Sequence, residues 1–512
     1  MAFEPVIKEI KAKYRKKVCV ERITVGVVLN SADAKISQVL SVGAKPCVTL
    51  VSPNSGSILL EGKVCSKAVI QNTEGDFSSI EGNTTYSQHI MNGSINAEQK
   101  LFSYAKLVEA QNIQASDNSV SFNAVVQVTV YSLVEQSIQS VEKVNDLAHQ
   151  KMGDIQYTDL ICSTTQEFDL QNEVELPNNI GAVVQVESDA ILTDVETNTD
   201  MITMRGKICT NLIYTTNEEK PKLKNQKFSL DFTQEILCNS VIPTDTSIAT
   251  LEDCCTTYEI QGELSSTKGV LILKNAMRTN AFSYRQNILT AVVDTFCPQY
   301  ELHSSTSSFI TQKQKFENVF NEKIDGNIVL AEDSARIDRV LATMSSLVVT
   351  NSNIVEEGIE ATGTMYTNVV YQLDDDTGTI GSVLAELPFD ITLKIDEVSK
   401  EDEVNLSVAI TEIEARNKRA KEIDILADVS FFVTINEDDT NAILSDISLG
   451  DLRSTEVSAM GIYFVNEAND IWDIAKYLLV SPDEILEQNP TLEFPINKPT
   501  RVTLYREQKI SD

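Results

Sequence analysis

The sequence comprises 512 residues with a mass of 56.6 kDa, a formal net charge of −33 and 42% hydrophobic residues. This length exceeds what one hydrophobic core usually organises, and 19 glycines with 12 prolines are too few for a collagen-like, linker-like or wholly disordered chain. So acidic a chain repels phosphate backbones and anionic lipid, which excludes general nucleic-acid binding. We therefore expect several folded domains.

A basic segment near the N-terminus contrasts with the overall acidity. Its basic residues are opposed only by Glu9 and lie at Lys8, Lys11, Lys13, Arg15, Lys16 and Lys17. Such a cluster attracts anionic lipid or an acidic partner surface, but we favour an exposed first helix or a charged lead-in to a strand. The segment lacks the apolar core of a signal peptide, and the longest apolar stretch, Ala124–Val134, is too short to span a bilayer. A soluble, cytosolic protein is expected.

The nine cysteines do not follow the spacing of a disulfide framework or of a zinc site. They lie at Cys19, Cys47, Cys65, Cys162, Cys209, Cys238, Cys254, Cys255 and Cys297. An odd number of cysteines without any Cys-x-x-Cys pair, in a chain of this length, favours reduced thiols that are mostly buried.

The sequence contains no recognisable catalytic constellation. The histidines His89, His149 and His303 are too far apart in sequence for local metal-ligand spacing. A phosphate-binding glycine loop, a nucleophile elbow and a zinc-protease motif are all missing from the sequence. We therefore predict a protein that is not an enzyme, without a cofactor and without a metal site.

Acidic runs lie between strand-like segments, at Asp374–Asp376, Lys400–Glu403 and Glu437–Asp439. Calcium prefers carboxylate and carbonyl oxygens, but none of these runs has the alternating oxygen ligands, glycine and terminal glutamate of an EF-hand loop. We interpret them as solvated turns.

An internal repeat organises the chain. The segments Glu61–Ile70, Arg205–Tyr214 and Thr362–Tyr371 each place a glycine second, followed by alternating apolar and polar residues and then a polar turn. A longer match aligns Val20–Leu40 with Asn321–Leu341 without a gap. The pattern predicts one strand and its hairpin, used three times.

Later segments alternate with period two, which is typical of antiparallel strands on a core. The apolar face of one segment comprises Phe122, Ala124, Val126, Val128 and Val130. The apolar face of another comprises Ile425, Ala427, Val429, Phe431, Val433 and Ile435. We predict a mainly β fold with three tandem β-rich repeat domains, at residues 1–155, 156–300 and 301–452, followed by a small domain at 456–508.

The last fifty or so residues follow a different pattern, strand, helix, helix and strand. The strands are predicted at Ile462–Val465 and Arg501–Tyr505, and the first helix at Ile471–Leu478, after Asn469 as its cap. The second helix begins with the capping sequence Ser481-Pro-Asp-Glu and ends at an Asn-Pro pair.

This segment resembles a LysM module. The resemblance rests on Ile462–Val465, Ile471–Lys476, Val480–Leu486 and Asn489-Pro490, although residues 468–470 read Ala-Asn-Asp where LysM modules usually have Gly-Asp-Thr. Three β-rich repeats followed by one LysM module resemble the SPOCS-domain plus LysM proteins of spore-forming Firmicutes, of the SipL type. The repeat domains are SPOCS-like by this resemblance.

The resemblance implies a function in spore coat assembly. It implies a non-enzymatic morphogenetic adaptor in the mother-cell cytoplasm, at the forespore surface. The LysM module would dock the coat basement-layer ATPase, which is SpoIVA-like, and the repeats would serve as a scaffold that could contact other coat proteins.

Two sets of module residues are candidates for binding. Trp472, Lys476 and Tyr477 form a basic and aromatic patch that suits a protein partner, although Trp472 is equally compatible with the module core. The alternative function is a peptidoglycan anchor that binds N-acetylglucosamine. Its candidate glycan-binding residues are Asn469, Asp470 and Asn489. A hydrolase is disfavoured because no nucleophile and base accompany the module.

Overall fold

The computed structural model describes residues 4–31, 35–219, 221–262, 269–375, 379–453, 460–468 and 470–505. The prediction of a mainly β chain is confirmed, since long antiparallel strands make up most of this structure. None of its helices has the length and apolar character needed to cross a membrane.

The first unit of the fold consists of six strands. They are β1 (Val6–Asn30), β2 (Ile36–Asn54), β3 (Ser57–Asn72), β4 (Phe77–Met91), β5 (Leu101–Ala115) and β6 (Ser119–Lys143). One three-stranded sheet has the order β1-β6-β5 and the other has the order β2-β3-β4. Apolar side chains from both sheets form one buried core, so the unit is a two-sheet sandwich.

The second unit repeats this strand order. Its strands are β7 (His149–Glu175), β8 (Ile180–Asn198), β9 (Met201–Thr216), β10 (Leu223–Leu237), β11 (Thr246–Gln261) and β12 (Val270–Phe296). Its sheets have the orders β11-β12-β7 and β10-β9-β8. Strand β7 contains residue 155, the position of the first predicted domain boundary.

The third unit has the same arrangement again. Its strands are β13 (Tyr300–Val329), β14 (Ile337–Val355), β15 (Gly358–Leu373), β16 (Ile380–Lys394), β17 (Glu403–Arg419) and β18 (Glu422–Leu452). Its sheets have the orders β13-β18-β17 and β14-β15-β16. The predicted apolar faces within β6 and β18 are confirmed, because every residue named for them is buried.

The repeat glycine lies in the central strand of one sheet in each unit, in β3, β9 and β15. Each glycine pairs across the sheet with an aromatic residue: Gly62 with Tyr86, Gly206 with Phe232 and Gly363 with Phe389. A Cβ atom at each of these glycines would collide with that aromatic ring. Glycine is therefore required because the ring packs directly over the strand backbone.

The three units pack around a common centre. Seven residues after each repeat glycine lie Val69, Ile213 and Val370, and all three share one buried cluster. The long strands β1, β6, β12, β13 and β18 contribute to a second shared buried cluster, with Ile138 from β6 and Leu289 from β12 among its members. The units are therefore joined by apolar cores to which all three contribute.

A buried ion pair also joins the first and third units. The Arg15 guanidinium lies 2.7 Å from a Glu403 carboxylate oxygen, and the Tyr131 hydroxyl donates to the other oxygen at 2.8 Å. Burial opposes the charge on Arg15, but Tyr284 and Glu403 raise its pKa above the ordinary value. The interpretation of Lys400–Glu403 as a solvated turn is therefore wrong at its end, because Asp402 is buried and accepts from Lys315, and Glu403 begins β17. The run Glu437–Asp439 lies within β18 and is not a turn either. Likewise, Arg15 belongs to β1 and is no surface charge.

The expectation of reduced thiols is wrong for six cysteines. The structure pairs Cys47 with Cys254, Cys65 with Cys255 and Cys162 with Cys238, with Cα separations of 5.1, 5.7 and 5.9 Å. Two of these disulfides join the first unit to the second. Their partners are separated by 207 and 190 residues, so no local spacing could reveal them.

The C-terminal elements are β19 (Met460–Val465), α1 (Ile471–Leu478), α2 (Pro482–Gln488) and β20 (Thr500–Tyr505). Strands β19 and β20 pair antiparallel. Ser481 caps α2 as predicted, accepting from the Glu484 amide. The predicted cap of α1 is corrected: the Asp470 carboxylate accepts from the amides of Trp472 and Asp473, while Asn469 lies outside the described residues. We refer to β19–β20 as the C-terminal module.

Candidate protein-docking module

Trp472 lies between the core of the C-terminal module and the second unit. Only 7% of its surface is exposed, and its ring centroid is 5.1 Å from that of Phe296 at the end of β12. Its indole Nε1–H donates to an Asp294 carboxylate oxygen at 2.9 Å. Trp472 is thus both a core residue of the module and its main contact with the body of the molecule.

Lys476 binds the same carboxylate as Trp472. Its Nζ lies 2.7 and 2.8 Å from the two oxygens of Asp294. Burial disfavours the charge on Asp294, but the hydrogen bonds from Lys476 and Trp472 outweigh this effect and hold its pKa below the ordinary value. One turn of α1 therefore presents both donors to a single carboxylate of β12.

A second ion pair lies beside this contact. Lys151 of β7 donates to Asp470 at 2.6 Å, and this hydrogen bond lowers the pKa of Asp470 and raises that of Lys151. Asp470 therefore caps α1 and also ties the helix N-terminus to β7. Together these contacts seat the module on the paired ends of β7 and β12.

Tyr477 points away from this contact, with 78% of its surface exposed. The structure therefore separates the three candidate partner-binding residues. Trp472 and Lys476 contact the second unit, and Tyr477 faces solvent.

The outer face of the β19–β20 pair is also exposed. Met460 lies opposite Tyr505, and Phe464 lies opposite Arg501, so these side chains project from the same face. Phe464 has 70% of its surface exposed, and Ile462 between these pairs is also exposed. This apolar face was not among the sequence-predicted sites, although the alternation of Met460, Ile462 and Phe464 was its visible signal.

The candidate glycan-binding residues have internal partners where they are described. The Asn489 side-chain amide donates to the carbonyl oxygens of Ile485 and Thr503, and its oxygen accepts from the Thr503 amide. It therefore covers the outer edge of β20 in the manner of a neighbouring strand. Asp470 is engaged as described above, and Asn469 lies outside the described residues.

The sequence did not predict the residues of β7 and β12 that contact the C-terminal module. Asp294, Phe296 and Lys151 precede the module by more than 150 residues, and no local pattern distinguishes them from other residues at strand ends. Within the described ranges, no group of three or more His, Cys, Asp or Glu side chains could hold a metal ion.

Comparison with known proteins identifies one part of the chain. Residues 336–418, which run from β14 to β17, match the family model described as SipL, SPOCS domain. This match supports a SPOCS domain of the SipL type in the third unit and suggests a sporulation-related protein. None of the curated proteins matches the chain.

Proposed function

We propose that this protein is a non-enzymatic adaptor in spore coat morphogenesis. Its C-terminal module, which we assign as LysM, docks the SpoIVA-like coat ATPase, and its three β-rich units act as the scaffold. It acts in the mother-cell cytoplasm at the forespore surface.

The matched segment and the repeated topology support three SPOCS-like domains. The match covers strands β14–β17 of the third unit, and the first and second units contain the same strand order. The repeat glycine with its cross-strand aromatic recurs in each unit. We assign the units as three copies of one domain, with boundaries between β6 and β7 and between β12 and β13.

The single observation that favours a protein partner is the exposed apolar surface of the module. Tyr477, Phe464 and Tyr505 are large side chains that are more than half exposed on a chain of net charge −33. Exposed aromatic side chains are typical anchors of protein interfaces. By contrast, Asp470 and Asn489 make internal hydrogen bonds, which disfavours the alternative of a peptidoglycan anchor.

The proposal is tested by binding of the purified full-length chain to the SpoIVA-like ATPase. Tyr477→Ala is expected to weaken this binding by about tenfold, the usual effect of truncating an interface anchor. Leu237→Ala is the matched control, because Leu237 is similarly exposed but lies on β10. Binding should be unchanged in this control.

Two further variants test Trp472 and Lys476, which contact the second unit. Trp472→Ala and Lys476→Glu weaken binding only if the module leaves β12 when it meets its partner. Unchanged binding in all three module variants would contradict the proposal. Retention of the full-length chain on insoluble peptidoglycan, lost in Asn489→Ala, would instead establish the glycan anchor.

A further inference from the structure

A cavity of about 630 Å³ lies where the three units meet. Strands β2 and β5 of the first unit, β8 of the second and β14–β17 of the third contribute to its lining. Its volume suits a small organic molecule. The cavity is distant in sequence from the C-terminal module, and the proposed docking function does not use it.

Two carboxylates of β8 project into the cavity. Glu187 and Asp189 are two positions apart on the strand and therefore share a face. Gly43 of β2 makes room for the first of them, since a Cβ there would lie 2.6 Å from a Glu187 carboxylate oxygen. Glycine at position 43 thus leaves space for the Glu187 carboxylate in the cavity wall.

Two lysines, Lys45 and Lys67, oppose the effect of burial on this pair, but both donate hydrogen bonds to other groups. Lys45 donates to Asp253 at 2.6 Å, to the Thr256 hydroxyl at 3.1 Å and to the carbonyl oxygen of Ser188. Burial raises the pKa of Asp189 to about 7, although Lys45 acts in the opposite direction. Partly buried carboxylates without a hydrogen-bonded cation are costly for the free protein.

A second acidic pair lines another part of the wall. Glu109 of β5 and Glu386 of β16 both raise the pKa of Tyr366, in addition to the larger effect of burial. Apolar side chains from two other strands, including Leu347 and Ile410, also line the cavity. The lining therefore combines two carboxylate pairs with hydrocarbon surface.

Neutral hydrogen-bonding groups in the wall also lack partners. Asn368 lines the cavity and is only 8% exposed, and its side-chain oxygen has no hydrogen-bond partner among the described residues. The Ser345 hydroxyl lines the same cavity and is likewise without a partner in the described ranges. Buried acceptors of this kind call for an N–H or O–H donor.

We propose that this cavity binds a linear aliphatic polyamine. One ammonium group pairs with Glu187 and Asp189, the methylene chain lies along the apolar wall, and a second ammonium group meets Glu109 and Glu386. Asn368 accepts from an N–H of the ligand. An anion would meet repulsion from all four carboxylates, and a neutral apolar molecule would leave the partly buried Glu187 and Asp189 without a hydrogen-bonded cation.

The test is calorimetric titration of the purified full-length chain with spermidine at fixed ionic strength. One saturable site is expected, with much weaker binding of n-butylamine, which offers one ammonium group. Magnesium chloride is the control for non-specific attraction to an acidic chain. Competition by magnesium at equal charge concentration, or the lack of a saturable spermidine site, would overturn the proposal.

Variants locate the site. Asp189→Asn and Glu187→Gln are each expected to weaken spermidine binding by about tenfold or more. Glu175→Gln is the matched control, because Glu175 is an exposed carboxylate of the second unit outside the cavity lining. Equal weakening in the control, or none in the cavity variants, would contradict the assignment.

A stability measurement guards against misfolding of a variant. Spermidine is expected to raise the unfolding temperature of the unmodified chain, because a ligand of the folded state stabilises it. The same addition should leave the unfolding temperature of Asp189→Asn nearly unchanged. A cooperative unfolding transition in that variant shows that it is folded, so a lost response then reports on the site itself.

Discussion

At the scale of single residues, the molecule treats its buried charges in two ways. Arg15 and Glu403 neutralise each other through a direct ion pair supported by Tyr131. Asp189 is partly buried, and Lys45, which opposes the rise in its pKa, donates its hydrogen bond to Asp253 instead. The first arrangement is structural, and the second stores unfavourable free energy in the unliganded protein.

Replacing Arg15 alone should be strongly destabilising. Arg15→Met leaves the Glu403 carboxylate buried beside one lysine, Lys17, so we expect a loss of about 3 kcal/mol in the free energy of unfolding. Denaturant titration measures this loss. Arg22→Met on the same strand is the control, because Arg22 is exposed. A loss no greater than in the control would show that the ion pair contributes little.

Asp189 predicts a pH dependence of stability with a definite sign. Its pKa is raised to about 7 in the folded chain by burial, with Lys45 opposing and with Glu187 and Asp253 reinforcing the rise. The folded state therefore binds the proton more tightly, and the stabilisation present at low pH is lost as pH rises towards and through that value. Asparagine cannot titrate, so Asp189→Asn should unfold a few degrees higher than the parent chain at pH 8.

At pH 4 the same variant and the parent chain should unfold at similar temperatures. Calorimetry at both pH values, with exposed Asp231 changed to Asn as the control, tests the expectation. A stability difference that is the same at both pH values would contradict it.

At the scale of elements, the contact of α1 with β12 depends on one carboxylate. The chain contains a single tryptophan, and that residue donates to Asp294. Asp294→Ala should release α1, which would shift tryptophan emission to longer wavelength and increase quenching by acrylamide. Asp231→Ala serves as the control. An unchanged spectrum would mean that packing against Phe296 suffices to hold the module.

Acidification should have a similar effect on this contact. Hydrogen bonds lower the pKa of Asp294 and of Asp470, so their stabilisation is present above the ordinary aspartate pKa. It is lost as pH falls through the lower values of the folded state. Tryptophan emission should therefore be constant near neutrality and change only below about pH 4. A transition centred near pH 6 would point to another group.

Local patterns predicted the elements better than their contacts. The alternation in β6 and β18 correctly indicated which side chains are buried, because a half-buried strand imposes a period of two. Ser481 was predicted as a cap because its partner amide lies three residues away. The contact between Trp472 and Asp294 joins residues 178 positions apart, and nothing in a local window encodes such a pairing. The prediction that Glu403 lies in a solvated turn was wrong for the same reason, because its partner Arg15 is 388 positions away.

At the scale of the whole molecule, two disulfides join the first and second units. Peptide mapping without reduction should recover Cys47 linked to Cys254 and Cys65 linked to Cys255, with Cys19, Cys209 and Cys297 free. Reduction should lower the free energy of unfolding by about 2–4 kcal/mol per disulfide. Hydrogen exchange would report this loss in the first two units. The third unit is an internal control because residues 301–452 contain no cysteine.

The clustering of Val69, Ile213 and Val370 fixes how many repeats the protein can have. In a solenoid, each repeat stacks on the last, and the array lengthens or shortens without penalty to its interior. Here the equivalent side chains pack into one cluster, so a fourth copy would have no place in that cluster. Removal of one copy would expose the apolar side chains of the other two to solvent. The shared cluster therefore suits three repeats within one chain.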